Sequence, residues 1–78
     1  MEYPRAEWDQ KANAASIRFR KIENGEVAKN RPVENEQGDV VALLRFAASG
    51  ELLEVELLDA ESQLPRGLPV QVISERGE

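Results

Sequence analysis

The two longest apolar stretches of the chain lie within residues 38–64, on either side of one turn signal, Ala48-Ser49-Gly50. Strand-like alternation around this turn predicts a β-hairpin, with Gly50 at the positive φ that a side chain would make costly. If Ala47 sits opposite Glu51, the register of the whole hairpin follows. The side expected to form the core then pairs Val41 with Leu57, Leu43 with Val55 and Arg45 with Leu53.

The other side of this predicted hairpin pairs Val40 with Leu58, Ala42 with Glu56, Leu44 with Glu54 and Phe46 with Leu52. It is apolar at both ends and acidic in the middle. We therefore expect this side to be partly solvated, covered, or paired with basic groups.

The first part of the chain predicts further strands. Residues 3–9 fit either a short strand ending at Trp8 or the start of a helix with Pro4 in its first turn. Residues 15–21 alternate apolar and polar positions, which is typical of a half-buried strand. Asn24-Gly25 then predicts a hairpin turn, with a return strand over residues 26–33 that Pro32 marks as an edge strand or its end.

The sequence predicts the turn of this second hairpin but leaves two registers open. A strict two-residue loop would place Arg20 opposite Lys29 and Arg18 opposite Arg31, and like charges directly opposite each other destabilise a strand pair. A bulge or a longer loop would shift the pairing by one residue.

The last part of the chain carries a helical alternative. Leu53, Leu57, Ala60 and Leu64 have helical spacing, so residues 51–64 also fit an amphipathic helix stopped by Pro65. Alternation and the β-branched Val55 favour a strand up to about residue 59, followed by at most a helical turn near residues 60–64. Residues 65–69 break regular structure, 70–73 form one last short strand, and 75–78 are expected to be a frayed tail.

Together these segments predict a mainly β fold. We expect a small antiparallel β-meander of about four to six strands, in a single domain that covers residues 1–78. The predicted core face consists of Ile17, Phe19, Val41, Leu43, Val55 and Leu57.

Size and composition narrow the function. A domain of 78 residues buries only roughly 60% of its unfolded surface, so its core is marginal without further support. The chain has no Cys and no His, hence no disulfide, thiolate metal site or imidazole chemistry. Self-association is the remaining support, and we expect a homodimer or larger homo-oligomer. The absence of an apolar run long enough for a membrane span and of a hydrophobic N-terminal segment predicts a cytoplasmic protein.

Charge is distributed unevenly along the chain, whose net charge is −5. Five of the ten basic residues lie between positions 18 and 31, whereas residues 34–61 carry eight acidic residues and one basic residue, Arg45. The acidic balance disfavours a nucleic-acid partner, and only four aromatic residues are present for base stacking. We expect the basic strip formed by Arg18, Arg20, Lys29 and Arg31 to meet Glu54 and Glu56, within the sheet or across a subunit interface.

Catalytic and cofactor chemistry have little support in the sequence. Glu54, Glu56 and Asp59 are the obvious carboxylate set, but alternating Glu on an outer strand face is ordinary solvation, and a hard-cation site needs oxygens from several segments. No Ser has a His partner, and the five glycines are isolated turn residues without a phosphate-binding motif. We predict no enzyme activity, no cofactor and no metal.

Several motifs resemble the domain of unknown function 2283 family of small bacterial proteins. The order and spacing of Trp8-Asp9, Asn13-Ala14, Ile17-Arg18-Phe19, Ser49-Gly50-Glu51-Leu52 and Val55-Glu56-Leu57-Leu58-Asp59-Ala60 agree with that family over about residues 8–61. The most specific match is residues 54–60, where the family typically reads Gly-Ile-Glu-Ile-Leu-Asp-Ala. The resemblance implies a small antiparallel β-rich domain and no established activity.

The sequence departs from this family at five positions. Glu54 replaces a usual Gly, Asn13 a usual Asp and Ser16 a common aromatic, and Arg45 and Ala47 replace two acidic residues before the turn. If those acidic positions bind a cation in members of that family, this chain lacks the carboxylates to do so.

Two functions follow as expectations. The first is a non-enzymatic, self-assembling interaction or structural module, and the alternative is an acidic, antitoxin-like partner that binds a basic protein. The residues expected to make these interactions are Trp8, Arg18, Arg20, Lys29, Arg31, Phe46, Leu52, Glu54, Glu56 and Leu58.

Overall fold

A computed structural model describes residues 3–73 of the chain. In chain order the elements are β1 (Arg5–Asp9), β2 (Ala14–Arg18), β3 (Val27–Glu34), β4 (Val40–Ala47), β5 (Leu52–Leu57), α1 (Ala60–Gln63) and β6 (Gln71–Ile73). The mainly β class, the number of strands and the helical turn after residue 59 are confirmed. Of the two alternatives for residues 3–9, the strand is the one that forms. The predicted frayed tail lies outside the described residues.

The six strands form one sheet in the order β3-β4-β5-β2-β1-β6. All neighbours are antiparallel except β6, which runs parallel to β1. The sheet is therefore mixed, because the connection through α1 carries the chain from β5 past β2 and β1 to the far edge. The edge position that Pro32 predicted for its strand is confirmed, since β3 has a neighbour on one side only.

The prediction that the strands on either side of Asn24-Gly25 pair as a hairpin is wrong. The turn itself forms, with Gly25 at φ 74° and the Glu26 N–H donating to the Glu23 carbonyl at 3.1 Å. However, β2 lies between β1 and β5, and β3 pairs only with β4. Pairing β2 with β5 sets Arg18 opposite Glu54 on one side, while β1 sets Arg5 opposite Arg18 on the other.

The β4–β5 hairpin has the predicted turn and a different register. The Ala47 N–H donates to the Glu51 carbonyl at 2.9 Å, and Gly50 has φ 99°. Phe46 then pairs with Leu52 as predicted, but the next pair is Arg45 with Glu54, so Leu53 is an extra residue in β5. This β-bulge shifts every later pair by one residue and exchanges the sides of β4 relative to the prediction.

The register gives the sheet two chemically distinct faces. One, the charged face, carries Arg5, Glu7, Ser16, Arg18, Leu43, Arg45, Glu54 and Glu56. The other, the apolar face, carries Trp8, Ala15, Ile17, Ala42, Leu44, Phe46, Leu52, Val55 and Leu57.

The buried core is small. Among the described residues, the buried hydrophobic side chains are Leu53 and four alanines, at positions 15, 42, 47 and 60. The predicted core is therefore partly wrong, since the bulge moves Leu43 to the charged face and Phe19 is 43% exposed. Ile17, Val55 and Leu57 do share the apolar face, where all three are half-buried. Val41 alternates with Leu43 along β4, so it also leaves the predicted core side.

Helix α1 is too short to form a second layer over six strands. It is held at one end of the sheet by the Ala60 N–H, which donates to the Asn13 carbonyl at 3.1 Å, and by Gln63 Nε2, which donates to the Val41 carbonyl at 3.0 Å. No helix within residues 3–73 is long and apolar enough to cross a membrane.

Candidate functional site

The centre of the charged face is a buried carboxylate. Glu54 is 8% exposed, although it lies on a strand of a single-layer sheet. Arg18 Nε donates to one of its oxygens at 3.0 Å, and Arg45 Nε lies 3.1 Å from the other. Because both oxygens have a charged donor, the burial of this carboxylate is compensated.

Strand order explains why these three residues meet. β5 lies between β2 and β4, and Glu54 is directly opposite Arg18 on one neighbour and Arg45 on the other. The hydrogen bond to Glu54 is the main cause that raises the pKa of Arg18 above its ordinary value, so this guanidinium is charged at every physiological pH.

Arg45 is the most connected side chain of the charged face. Besides Glu54, it pairs with Glu56 on β5, and its Nη1 donates to Asn30 Oδ1 on β3 at 3.2 Å. Three neighbouring strands are thus connected through one guanidinium, which fixes the geometry of the whole cluster.

A cleft of 640 Å³ lies over this cluster. Its floor includes Ser16, Arg18, Glu54 and Glu56, and residues 22–25 form part of its wall. A volume of this size is in the range of small-molecule sites, and charged groups of both signs line it.

Arg20 holds the segment that forms this wall. Its guanidinium pairs with Glu26 within the same segment and with Glu51 at the start of β5, where Nε lies 3.0 Å from Oε2. These bonds to Arg20 lower the pKa of Glu26 to about 2 and also lower the pKa of Glu51. Arg20 therefore has acidic partners, but they are neither Glu54 nor Glu56.

Lys29 and Arg31 lie elsewhere. They pair with Phe46 and Leu44 respectively, which places them on the apolar face, where they flank a groove of 390 Å³. Neither forms an ion pair with another residue of the described chain. The predicted contact of Arg18 with Glu54 is confirmed within the sheet. The single basic strip is wrong, because β2 and β3 are not neighbours and their basic residues lie on opposite faces.

Of the four apolar residues predicted to make contacts, three lie on the apolar face and one does not. Trp8, Phe46 and Leu52 are half-buried on the apolar face, whereas Leu58 follows β5 and is 38% exposed. The Trp8 indole N–H is buried and has no hydrogen-bond partner among residues 3–73. Its neighbours in a shallow groove are Gln10, Asn13 and Glu61.

Sequence reasoning missed Arg45, Ser16 and Asn13 as site or structural residues. The predicted register put Arg45 on the core side, opposite Leu53, and the bulge reverses this. The available signal was charge: a lone Arg within an acidic segment is more readily placed opposite a Glu than opposite a Leu.

Metal binding has no cluster to support it. Within residues 3–73, no group of three or more acidic side chains is arranged to hold a metal ion. Asp59 lies apart from Glu54 and Glu56, with its carboxylate bonded to Asn13 Nδ2 at 2.9 Å and to Ser62 Oγ at 2.6 Å.

Comparison with known proteins gives no relative for this chain. No protein-family model, no curated protein and no solved structure matches it. The resemblance to the domain of unknown function 2283 family stays a prediction.

Proposed function

We propose that this protein is a non-enzymatic, self-assembling interaction module of the cytoplasm, and that two copies pack through the apolar faces of their sheets. The observation that carries this proposal is that one six-stranded sheet and a four-residue helix make up all the regular structure of residues 3–73. A sheet with one apolar face is stable when a second layer covers that face. In the described chain the largest additional element is α1, which has four residues.

Burial on the apolar face is incomplete in a way that a second copy would correct. Leu44, Phe46, Val55 and Leu57 are all half-buried, whereas Leu53, at the bulge, is fully buried. Covering these side chains would stabilise the assembly by about 25 cal/mol for each Å² of apolar surface removed from water.

The size of the face suits a small dimer. Six strands of three to eight residues, spaced about 4.8 Å apart and roughly 10–26 Å long, present on the order of 500 Å² in projection. A standard interface buries about 800 Å² of accessible surface per partner. The accessible area of a corrugated face exceeds its projection, so the two values are compatible.

Charge also favours a second copy as the occupant. Lys29 and Arg31 lie on the rim of the apolar face without an ion-pair partner in the described chain. Each copy has a net charge of −5, so a second copy has more carboxylates than basic groups to offer these two cations. Rim pairs of this kind orient two partners more than they strengthen the complex.

The alternative, an acidic partner of a basic protein, has weaker support. Glu26, Glu51, Glu54 and Glu56 are each paired with an arginine of the same chain. A basic protein would have to compete with these arginines, and it would find other carboxylates mainly in the loop after β3 and near α1.

The absolute mass in solution tests the proposal. Size-exclusion chromatography with light scattering should give a dimer for the wild type and a monomer for Leu44→Lys, which puts a charge on the apolar face. Leu43→Lys is the matched control, because Leu43 is next to Leu44 in the chain and is also half-buried, but lies on the charged face. It should remain a dimer.

Two outcomes would contradict the proposal. One is a wild-type monomer at all protein concentrations, which would turn the search to a missing partner. The other is a folded Leu44→Lys variant, with an unchanged circular dichroism spectrum, that is still a dimer.

A further inference from the structure

The cleft over the charged face contains polar groups whose hydrogen-bonding capacity is not used. Arg18 bonds to Glu54 through Nε, while its Nη1 and Nη2 have no hydrogen-bond partner within residues 3–73. The Ser16 hydroxyl has none there either, and Glu56 uses one carboxylate oxygen, on Arg45, and leaves the other free. All three side chains line the cleft.

These groups are held in place from below. Glu54 is buried and holds Arg18 through Nε, which leaves the N–H groups of the two terminal nitrogens for other acceptors. Arg45 in turn holds one oxygen of Glu56 and is itself held by Glu54 and Asn30. Preorganised groups of this kind reduce the entropy cost of binding a ligand.

The free hydrogen-bonding groups lie on two neighbouring strands, with the donors on β2 and the acceptor, Glu56, on β5. Arg18 and Ser16 are two residues apart on the same face of β2, and Ser16 lies directly opposite Glu56. Arg18 and Ser16 together can donate three hydrogen bonds to a carboxylate, and the free oxygen of Glu56 can accept one from an ammonium group.

The surrounding charges select against ligands of a single sign. A simple anion at Arg18 would be repelled by Glu54, Glu56 and Glu7. Glu54 and Glu56 line the cleft, and the charges of Glu54 and Glu7 act on Arg18. A simple cation at Glu56 would be repelled by Arg18 and Arg45. A molecule that carries both charges avoids both penalties.

We propose that this cleft binds a small amino-carboxylate, a molecule of the amino-acid class, with its carboxylate on Arg18 and Ser16 and its ammonium group on Glu56. The half-buried Ile22 and Val27 line the same cleft and offer apolar contact to the carbon chain between or beyond the two charges. The site is on the charged face and does not depend on the dimer proposed for the apolar face.

The test is a titration followed by ¹H–¹⁵N NMR, with three probes of matched length: γ-aminobutyrate, butyrate and butylamine. We expect saturable shifts of the Ser16, Arg18 and Glu56 amides with γ-aminobutyrate, and at least tenfold weaker responses to butyrate and butylamine at equal concentration. Repeating the titration with glycine, β-alanine and 6-aminohexanoate would identify the preferred separation of the two charges.

Two variants assign the roles. Ser16→Ala should weaken γ-aminobutyrate binding severalfold. Glu56→Gln should remove the advantage of γ-aminobutyrate over butyrate, because the acceptor for the ammonium group is neutralised. Glu36→Gln, in the loop between β3 and β4, is the control and should bind like the wild type.

The proposal is overturned if the three probes shift the same amides equally, or if none of them gives a saturable shift. It is also overturned if Ser16→Ala and Glu56→Gln, with spectra of a folded protein, keep the wild-type affinity and preference.

Discussion

Leu53 is the residue on which the small core depends. It is the extra residue of the bulge and the only large side chain of the described chain that is fully buried. The other buried hydrophobic residues are alanines, which contribute little apolar area each. One leucine therefore supplies a disproportionate share of the packing.

Leu53→Ala should lower the free energy of unfolding by about 2–5 kcal/mol, from lost burial and the cavity left behind. Urea denaturation followed by circular dichroism would measure the loss. Val72→Ala, at a position that is 54% exposed, is the control and should change stability by less than about 0.5 kcal/mol. Similar effects of the two substitutions would mean that Leu53 is not the centre of the core.

Glu26 should make part of the stability depend on acid. The bond from Arg20 holds its pKa at about 2, below the ordinary value of 4.5. A carboxyl group with a lowered folded-state pKa stabilises the protein at pH above its unfolded value, and this stabilisation is lost as the pH falls through the folded value. The contribution of Glu26 is therefore complete above pH 4.5 and disappears towards pH 2.

The urea midpoint measured against pH would show this contribution. The wild type should exceed Glu26→Gln near neutral pH, and the difference should shrink as the pH falls from 4.5 towards 2. Glu36→Gln, in the loop between β3 and β4, serves as the control and should parallel the wild type. A difference between wild type and Glu26→Gln that does not change with pH would show that the pair with Arg20 is not formed in solution.

At the scale of elements, Asn13 joins the β1–β2 turn to α1. Its side-chain oxygen accepts from the Glu61 N–H at 2.8 Å, and its Nδ2 donates to Asp59 at 2.9 Å. Asn13 also has φ 53°, a left-handed conformation that Asn tolerates better than most side chains. The residue thus combines a backbone role with an anchoring role.

Two substitutions separate these roles. Asn13→Gly keeps the backbone conformation but removes the two side-chain bonds, and should cost about 1–2 kcal/mol. Asn13→Ala also places a side chain in the left-handed region and should cost about 1 kcal/mol more. Denaturation gives the two energies, and hydrogen exchange at the Ala60 and Glu61 amides should be faster in both variants. An alanine variant as stable as the glycine variant would refute the backbone role.

A structural feature could be predicted from the sequence when the residues that cause it are close together in the chain. The turn at Gly50, the edge position of β3 and the helical turn after Asp59 follow from a few adjacent residues. The pairing of β2 with β5 depends on Arg18 meeting Glu54, which is 36 positions away, and alternation within each strand does not contain that information.

The bulge at Leu53 had the largest effect on the candidate site. The side-chain period of a strand is two residues, so one extra residue reverses the face of everything beyond it. Arg45 moved from the expected core to the centre of the charged face, and Ser16 joined the cleft because its strand acquired an unexpected neighbour. The carboxylates themselves, Glu54 and Glu56, were found from sequence because they alternate visibly with apolar residues.

At the scale of the whole molecule, the balance between apolar and charged contacts determines how the proposed dimer responds to salt. Two copies, each with a net charge of −5, repel each other at long range, while the apolar faces attract at contact. Salt shortens the screening length from about 10 Å at 0.1 M to about 3 Å at 1 M.

A dimer formed through the apolar faces should therefore persist or tighten as salt is raised. Light scattering over a dilution series at low and high salt would give the dissociation constant in each condition. Complete dissociation at high salt would instead mean that ion pairs between copies, rather than burial of the apolar faces, hold the dimer together, and the apolar-face dimer would be rejected.

The two edges of the sheet also determine how far assembly extends. β3 has Pro32, which lacks a backbone donor, and register shifts near both of its ends, while β6 has only three residues. An incoming strand would find interrupted pairing along either border. When two sheets stack face to face, their edge strands remain poor partners for another strand. A concentrated solution should therefore contain more dimers but no fibrils. Pro32, which pairs with Leu43 inside β3 and lacks a backbone donor, thus favours a preparation that stays clear over one that gels.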